Sequence, residues 1–259
     1  MRITPGFSKC TVPEGVSGAW AIERYTLDRT YEPQQGFATV MQYVTGNPVR
    51  AVPPGSYTRL VRADSDARVV VMSDTPAEMR EHSAFVRRAA KHHAARVLVF
   101  GLGLGVCIDA LLKRRTVAHV DVVELSSDVR ALVGPHLLTR WGAARLTIHA
   151  GDAHTWEPPD PSARWHETWF DIWDAISDSN LPEMATLKAR FAARTWNESV
   201  ACWGEPQAIR MAAAYEAIEQ LSTEDTADLP VPDRIELLRR RTHEIVLKQA
   251  RMGTRRMAV

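Results

Sequence analysis

Short apolar runs and helical periods alternate through the middle of the chain. Residues 97–100, 120–123, 146–149 and 168–170 are mostly apolar runs of strand length, and SVACW (199–203) reads as a fifth. Residues 106–112 open a helix after a glycine turn. SSDVRALVGPHLL reads as the next helix, with Ser126 or Ser127 at its N-cap. Strands alternating with helices predict an α/β fold, a mostly parallel sheet with helices on both faces.

The flanks carry other patterns. YTRLVR and RVVVM read as two strands of a hairpin around ADSD. Thr75 and Pro76 suit a helix start, and Met79, Phe85, Val86 and Ala89 share one face of that helix. Residues 1–55 are rich in Gly and Pro with scattered aromatics, and no element is predicted there. Residues 181–194 and 206–221 read as helices, STEDTADLPVPD as a polar linker, and residues 233–252 as a final helix. The expected organisation is an extension with a β-hairpin over 1–75, a cofactor-binding domain over 76–205 and a helical region with a basic tail over 206–259.

Bulk properties narrow the class. The 259 residues are 45% hydrophobic and 24% charged, with a net charge of +1, so no global field points to nucleic acid or membrane. Three cysteines, Cys10, Cys107 and Cys202, form no disulfide framework and suit a reducing compartment. No apolar run approaches the roughly 20 residues of a membrane helix, and MRITPGFSKC lacks the apolar core of a signal peptide. The expected location is the cytoplasm. No Cys/His cluster or HExxH pattern calls for a metal. Charge does gather at the C-terminus, where Arg239, Arg240, Arg241, Lys248, Arg251, Arg255 and Arg256 offer a surface to a polyanion such as nucleic acid. Glu236 and Glu244 dilute it, and a solvated face is the favoured reading.

The chemistry gathers at strand ends. RVLVFGLGLGVCIDALL places Gly101, Gly103 and Gly105 between a buried strand and a helix. Glycine there permits a sharp turn and close backbone approach to a ligand, although a plain strand-to-helix turn has the same pattern. Glu124 ends the next strand, about 20 residues on, where nucleotide-binding α/β folds place a carboxylate for ribose hydroxyls. The dinucleotide pattern needs glycine at 106, which is Val, so a hydride-transfer enzyme is disfavoured.

The G-x-G-x-G form resembles motif I of the class I S-adenosylmethionine-dependent methyltransferases, whose sheet is Rossmann-like. Gly151-Asp152-Ala153 is similar to that superfamily's adenine turn, whose Asp accepts from the exocyclic amine. Within it, residues 57–175 resemble the spermidine synthase group. AEMREH is similar to the group's Q-E-M-x-x-H, RVLVFGLGLG to V-L-V-I-G-G-G-D-G-G, and VVELSSDV to V-V-E-I-D-P-E-V. WHETWFDIWDA is similar to Y-D-V-I-I-V-D-S-x-D-P, which places Asp171 and Asp174 on the group's acid pair. The resemblance implies that Asp171 orients or deprotonates an attacking amine and that Asp174 holds the substrate's cationic end. On the residues alone, the two acids also suit the cap of a helix starting near Ile176. Trp173 and His82 are the residues expected to touch substrate, though His82 also reads as a helix-surface residue. Most of the other tryptophans read as core. His92 and His93 read as closing a helix, and Cys107 as a packing thiol.

The departures shape the functional expectation. Leu104 replaces the Asp that favours decarboxylated cofactor, Pro76-Ala77 replaces Tyr-Gln, and Ala175 replaces the final Pro. Beyond Asp174 the group continues with a helix, a P-G-G turn and two more strands; this chain has no such Gly turn, so the last part of the sheet is expected to be truncated or rebuilt. The resemblance therefore implies a methyltransferase that uses intact S-adenosylmethionine on a small-molecule acceptor, an amine by analogy. An aminopropyltransferase and an inactive scaffold are the alternatives. No membrane partner is expected, and homodimer formation is left open.

Overall fold

The computed structural model describes residues 6–31, 37–47, 50–63, 67–222 and 229–256. The chain divides into two compact units. One is built from the described parts of Met1–Tyr31, Ala51–Asp174 and Ala185–Trp203, the other from those of Glu32–Arg50, Ala175–Met184 and Gly204–Val259.

The first unit holds two sheets. β1 (Gly15–Ser17), β2 (Trp20–Leu27), β3 (Gly55–Ala63) and β4 (Arg68–Ser73) form an antiparallel sheet in that order. The predicted hairpin is β3 and β4, its turn at 64–66 lying outside the described residues. β1 and β2 fall in the stretch where no element was expected. β2 alternates exposed and half-buried residues in its second half, a weak signal, and its register with β3 pairs Tyr25 with Tyr57.

The second sheet is the expected α/β core. β5 (Ala95–Phe100), β6 (Val117–Glu124), β7 (Leu146–Ala150), β8 (Glu167–Phe170) and β9 (Val200–Cys202) pair in parallel in the order β7-β6-β5-β8-β9. It is a Rossmann-like arrangement flanked by helices. β8 is buried at every position and β5 at all but Arg96, as strands covered on both faces must be. α2 (Pro76–Ala89) has Pro at its first turn and buries Met79, His82, Phe85, Val86 and Ala89. α3 (Val106–Leu112) is buried throughout and lies against α2 and β6. α4 (Ser127–Trp141) is capped by Ser126, whose Oγ accepts from Val129 N at 3.2 Å, which settles the choice between the two serines. Past β9 no further strand follows among the described residues.

Three sequence expectations are corrected. α2 stops at Ala89, before His92 and His93; His92 Nε2 lies 3.2 Å from Glu167 Oε1. No helix starts at Ile176. A short 3-10 turn over Asp178–Asn180, capped by Ser177, leads into α5 (Leu181–Ala192). His82 is no surface residue, being 3% exposed. The tryptophan reading divides: Trp156, Trp165 and Trp169 are buried, Trp196 is exposed.

In the second unit α1 (Phe37–Thr45), α6 (Glu205–Ser222) and α7 (Val231–Arg256) pack on one another around Ala213, Ala217 and Ile245. Glu236 gathers Arg239, Arg240 and the Tyr43 hydroxyl, and Arg241 pairs with Glu244. The three-arginine run is thus met by the acids beside it. The side chains of Arg251, Arg255 and Arg256 and the linker at 223–228 lie outside the described residues.

Candidate functional site

The glycine turn is tight, and protein atoms make it so. Gly101, Gly103 and Gly105 have φ of 96°, 50° and 71°, in the left-handed region that favours glycine. A Cβ would stand 2.0 Å from Asp171 O at Gly101, 2.5 Å from Met72 Sδ at Gly103 and 2.6 Å from Leu137 Cδ1 at Gly105. Backbone thus excludes a side chain at Gly101, and at Gly103 and Gly105 the left-handed φ and neighbouring side chains favour glycine. Gly101 N donates to Val123 O at 2.9 Å and Asp171 N to Phe100 O at 2.8 Å, which knits the ends of β6, β5 and β8 together.

Glu124 ends β6 and braces this turn. Its Oε2 accepts from Leu102 N and its Oε1 from Ser126 N, both at 2.8 Å. Each oxygen keeps a lone pair for a further donor. Beside it, Gly151 N donates to Glu124 O at 3.2 Å, so the turn after β7 begins against the end of β6. There Asp152 Oδ1 accepts from His154 N at 2.9 Å, and its carbonyl accepts from Thr155 and Trp156 N. Ala153 is buried, and its carbonyl accepts from Arg190 Nη1 of α5 at 2.6 Å. The guanidinium also reaches Trp156 O at 2.6 Å. Arg190 thus pins the turn, a role that sequence reasoning missed. One arginine on an amphipathic helix gives no local sign of it.

The two acids after β8 stand in different surroundings. The Asp171 side chain is 18% exposed, with Oδ2 3.7 Å from His82 Nε2. Burial, with the charge of Glu124 adding, pushes its carboxyl up to about 7. His82 meets the Trp169 ring edge-on at 6.1 Å, and Trp169 stacks on Phe85 at 4.7 Å. Asp174 is 39% exposed and accepts from Arg62 Nη2 at 2.8 Å. Arg62 also lies over the Trp20 ring. Trp173 is half-buried between the two acids in sequence. Cys107, two residues after Gly105, is buried, and burial pushes its thiol well above the usual range.

No family model matches this chain, and no curated protein does. Several solved structures overlap it in part. The CcbJ methyltransferase from Streptomyces caelestis is 13% identical with a TM-score of 0.37, over 47% of each chain. The [4+2]-cyclase SpnF is 17% identical at 0.34, over 58% of this chain and 44% of its own. The mitomycin 7-O-methyltransferase MmcR is 18% identical at 0.35, over 49% and 39%. The chain spans less than half the length of each. Two of the three are methyltransferases by name, but overlaps this slight carry no argument about function.

The residues themselves pass a chemical test for an adenosyl group. Two carboxylates, Glu124 and Asp152, follow adjacent parallel strands beside a turn of backbone N–H groups. Ionised carboxylates suit hydroxyls and an exocyclic amine as acceptors, while the Gly101, Leu102 and Gly105 N–H groups already donate to protein oxygens. Leu104, 1% exposed and apolar, places no charged side chain in the turn.

Proposed function

We propose that this chain binds S-adenosylmethionine and is a methyltransferase acting on an acceptor that loses a proton. The observation carrying this reading is that Glu124 braces the glycine turn through Leu102 N while abutting the Gly151-Asp152 turn. Gly101, Gly103, Gly105, Glu124, Asp152 and Ala153 are the cofactor residues of this reading. The bound cofactor would supply a sulfonium methyl for in-line displacement.

Asp171 acts as the base on the acceptor. A carboxyl poised near neutrality both exists ionised at pH 7 and holds a proton it has taken. His82, buried behind it, orients it. Trp173 lines the acceptor side, and the acceptor is a small molecule bearing an amine or hydroxyl. Proximity and a water-poor setting supply the rest of what a displacement needs. Transfer of an aminopropyl group to a polyamine is the weaker reading, because Leu104 is apolar and Asp174 already pairs with Arg62.

A thermal-shift titration with S-adenosylmethionine, its decarboxylated form and NAD, repeated on Asp152→Ala and Glu124→Gln, tests this. At a hundredfold excess over its dissociation constant a specific ligand adds about 2.7 kcal/mol. Stabilisation by the intact cofactor, weakened in both variants, supports the reading. A preference for the decarboxylated form moves it to aminopropyl transfer. No shift with any ligand leaves the inactive scaffold.

A further inference from the structure

One backbone donor of the glycine turn ends on sulfur. Gly101, Leu102 and Gly105 N–H groups donate to oxygen, on Val123, Glu124 and Leu102 respectively. Leu104 N donates instead to Met72 Sδ, at 3.3 Å. A thioether is a weak acceptor, so this donor is held far less firmly than its neighbours. The same sulfur fills the space beside Gly103, where a Cβ would meet it at 2.5 Å.

Met72 reaches the turn from β4, and that strand is anchored just past it. Ser73 N and Oγ both donate to Glu78, at 2.6 and 2.8 Å. Asp74, fully buried, accepts from Cys10 N at 2.9 Å and from Thr58 N at 2.7 Å. The backbone is fixed, whereas the Met72 side chain has three rotatable bonds and is half-buried. Of the two, the side chain is what yields.

We propose that the Met72 sulfur is a placeholder at the Leu104 N–H for a ligand carboxylate, and that binding of an adenosyl amino acid displaces it. This rests on the adenosyl reading above. A carboxylate oxygen is a charged acceptor and forms the stronger bond to the same N–H. Met72 thereby sets the affinity of the site for the amino-acid tail, and leaves the nucleoside end untouched.

The test uses two probes on the full chain by calorimetry. S-adenosylhomocysteine carries the carboxylate tail, and 5′-methylthioadenosine lacks it. Met72→Ala is expected to tighten S-adenosylhomocysteine by roughly three- to tenfold and to leave 5′-methylthioadenosine unchanged. Met72→Leu, which keeps volume but accepts no hydrogen bond, is expected to lie between the wild type and the Ala variant. Amide NMR reads the placeholder directly: the Leu104 N–H should shift in both variants, and in wild type only with the tailed ligand. Equal affinities in wild type and Met72→Ala overturn the placeholder while leaving the cofactor reading intact. An equal gain for both probes overturns its link to the tail. If neither probe binds any of the three proteins, the cofactor reading falls, and this proposal with it.

Discussion

Arg62 Nη2 sits 2.8 Å from Asp174 Oδ2, so the second acid beyond β8 already has a cation. Both side chains are about a third exposed, and water screens such pairs. A double-mutant cycle with Arg62→Ala and Asp174→Asn is expected to give a coupling below about 1 kcal/mol in urea unfolding. The consequence is chemical more than energetic: an acceptor's second ammonium would have to compete with a tethered guanidinium. Wild type should therefore show no saturable binding of putrescine, and Arg62→Ala should show more.

Asp171 predicts a specific pH dependence. Its folded carboxyl is pushed up to about 7 against a usual 3.8, so it favours the fold while protonated. That contribution is fully present below pH 3.8, and is lost as pH rises towards 7. Asp171→Asn removes the dependence. Its stability relative to wild type should rise between pH 4 and pH 8, by on the order of 2 kcal/mol in parallel denaturant melts. Activity in the same variant should fall by about 10² or more.

The glycines predict a graded series. Gly101→Ala meets the Asp171 carbonyl at 2.0 Å and keeps a φ of 96°, so both sterics and backbone oppose it. A loss of about 3 kcal/mol or more is expected in thermal or urea unfolding. Gly46, with φ of 63° and nothing within 4 Å of its Cβ position, is the control. There Gly→Ala should lose only about 1 kcal/mol.

Asp121 predicts the largest effect outside the site. Burial alone would raise its carboxyl, but hydrogen bonds from His119, His149 and Trp165 hold it well below the usual carboxylate range. Trp165 Nε1 donates to Oδ2 at 2.8 Å, and Arg96 Nη2 lies 3.1 Å from the same oxygen. Asp121→Ala strands those donors and should lose about 3 kcal/mol in chemical denaturation. The stability this carboxylate supplies is present above pH 3.8 and lost as pH falls through its lower folded value, opposite in sign to Asp171.

The parallel sheet was legible because its signal is local. Strands covered on both faces are almost wholly apolar, and the runs at 97–100 and 168–170 say so on sight. The glycine turn and Glu124 were legible for the same reason, since each ends a recognisable run. β1 and β2 were not, because an antiparallel sheet half-open to solvent writes a fainter alternation among Gly and Pro. Contacts distant in sequence stayed hidden altogether. Nothing in RVVVM marks Met72 as the partner of Leu104, and nothing near Arg190 marks it as the pin of the turn after β7.

The edge of the parallel sheet carries a hazard, which β9 meets by its length. β9 is the outer strand of the sheet among the described residues, and a border of open N–H and C=O groups invites other chains to add themselves. β9 has only three residues, Val200–Cys202, and the chain leaves it for the Gly204 turn. So brief a border gives an incoming strand few places to grip, and short edge strands are a common guard against unwanted self-assembly.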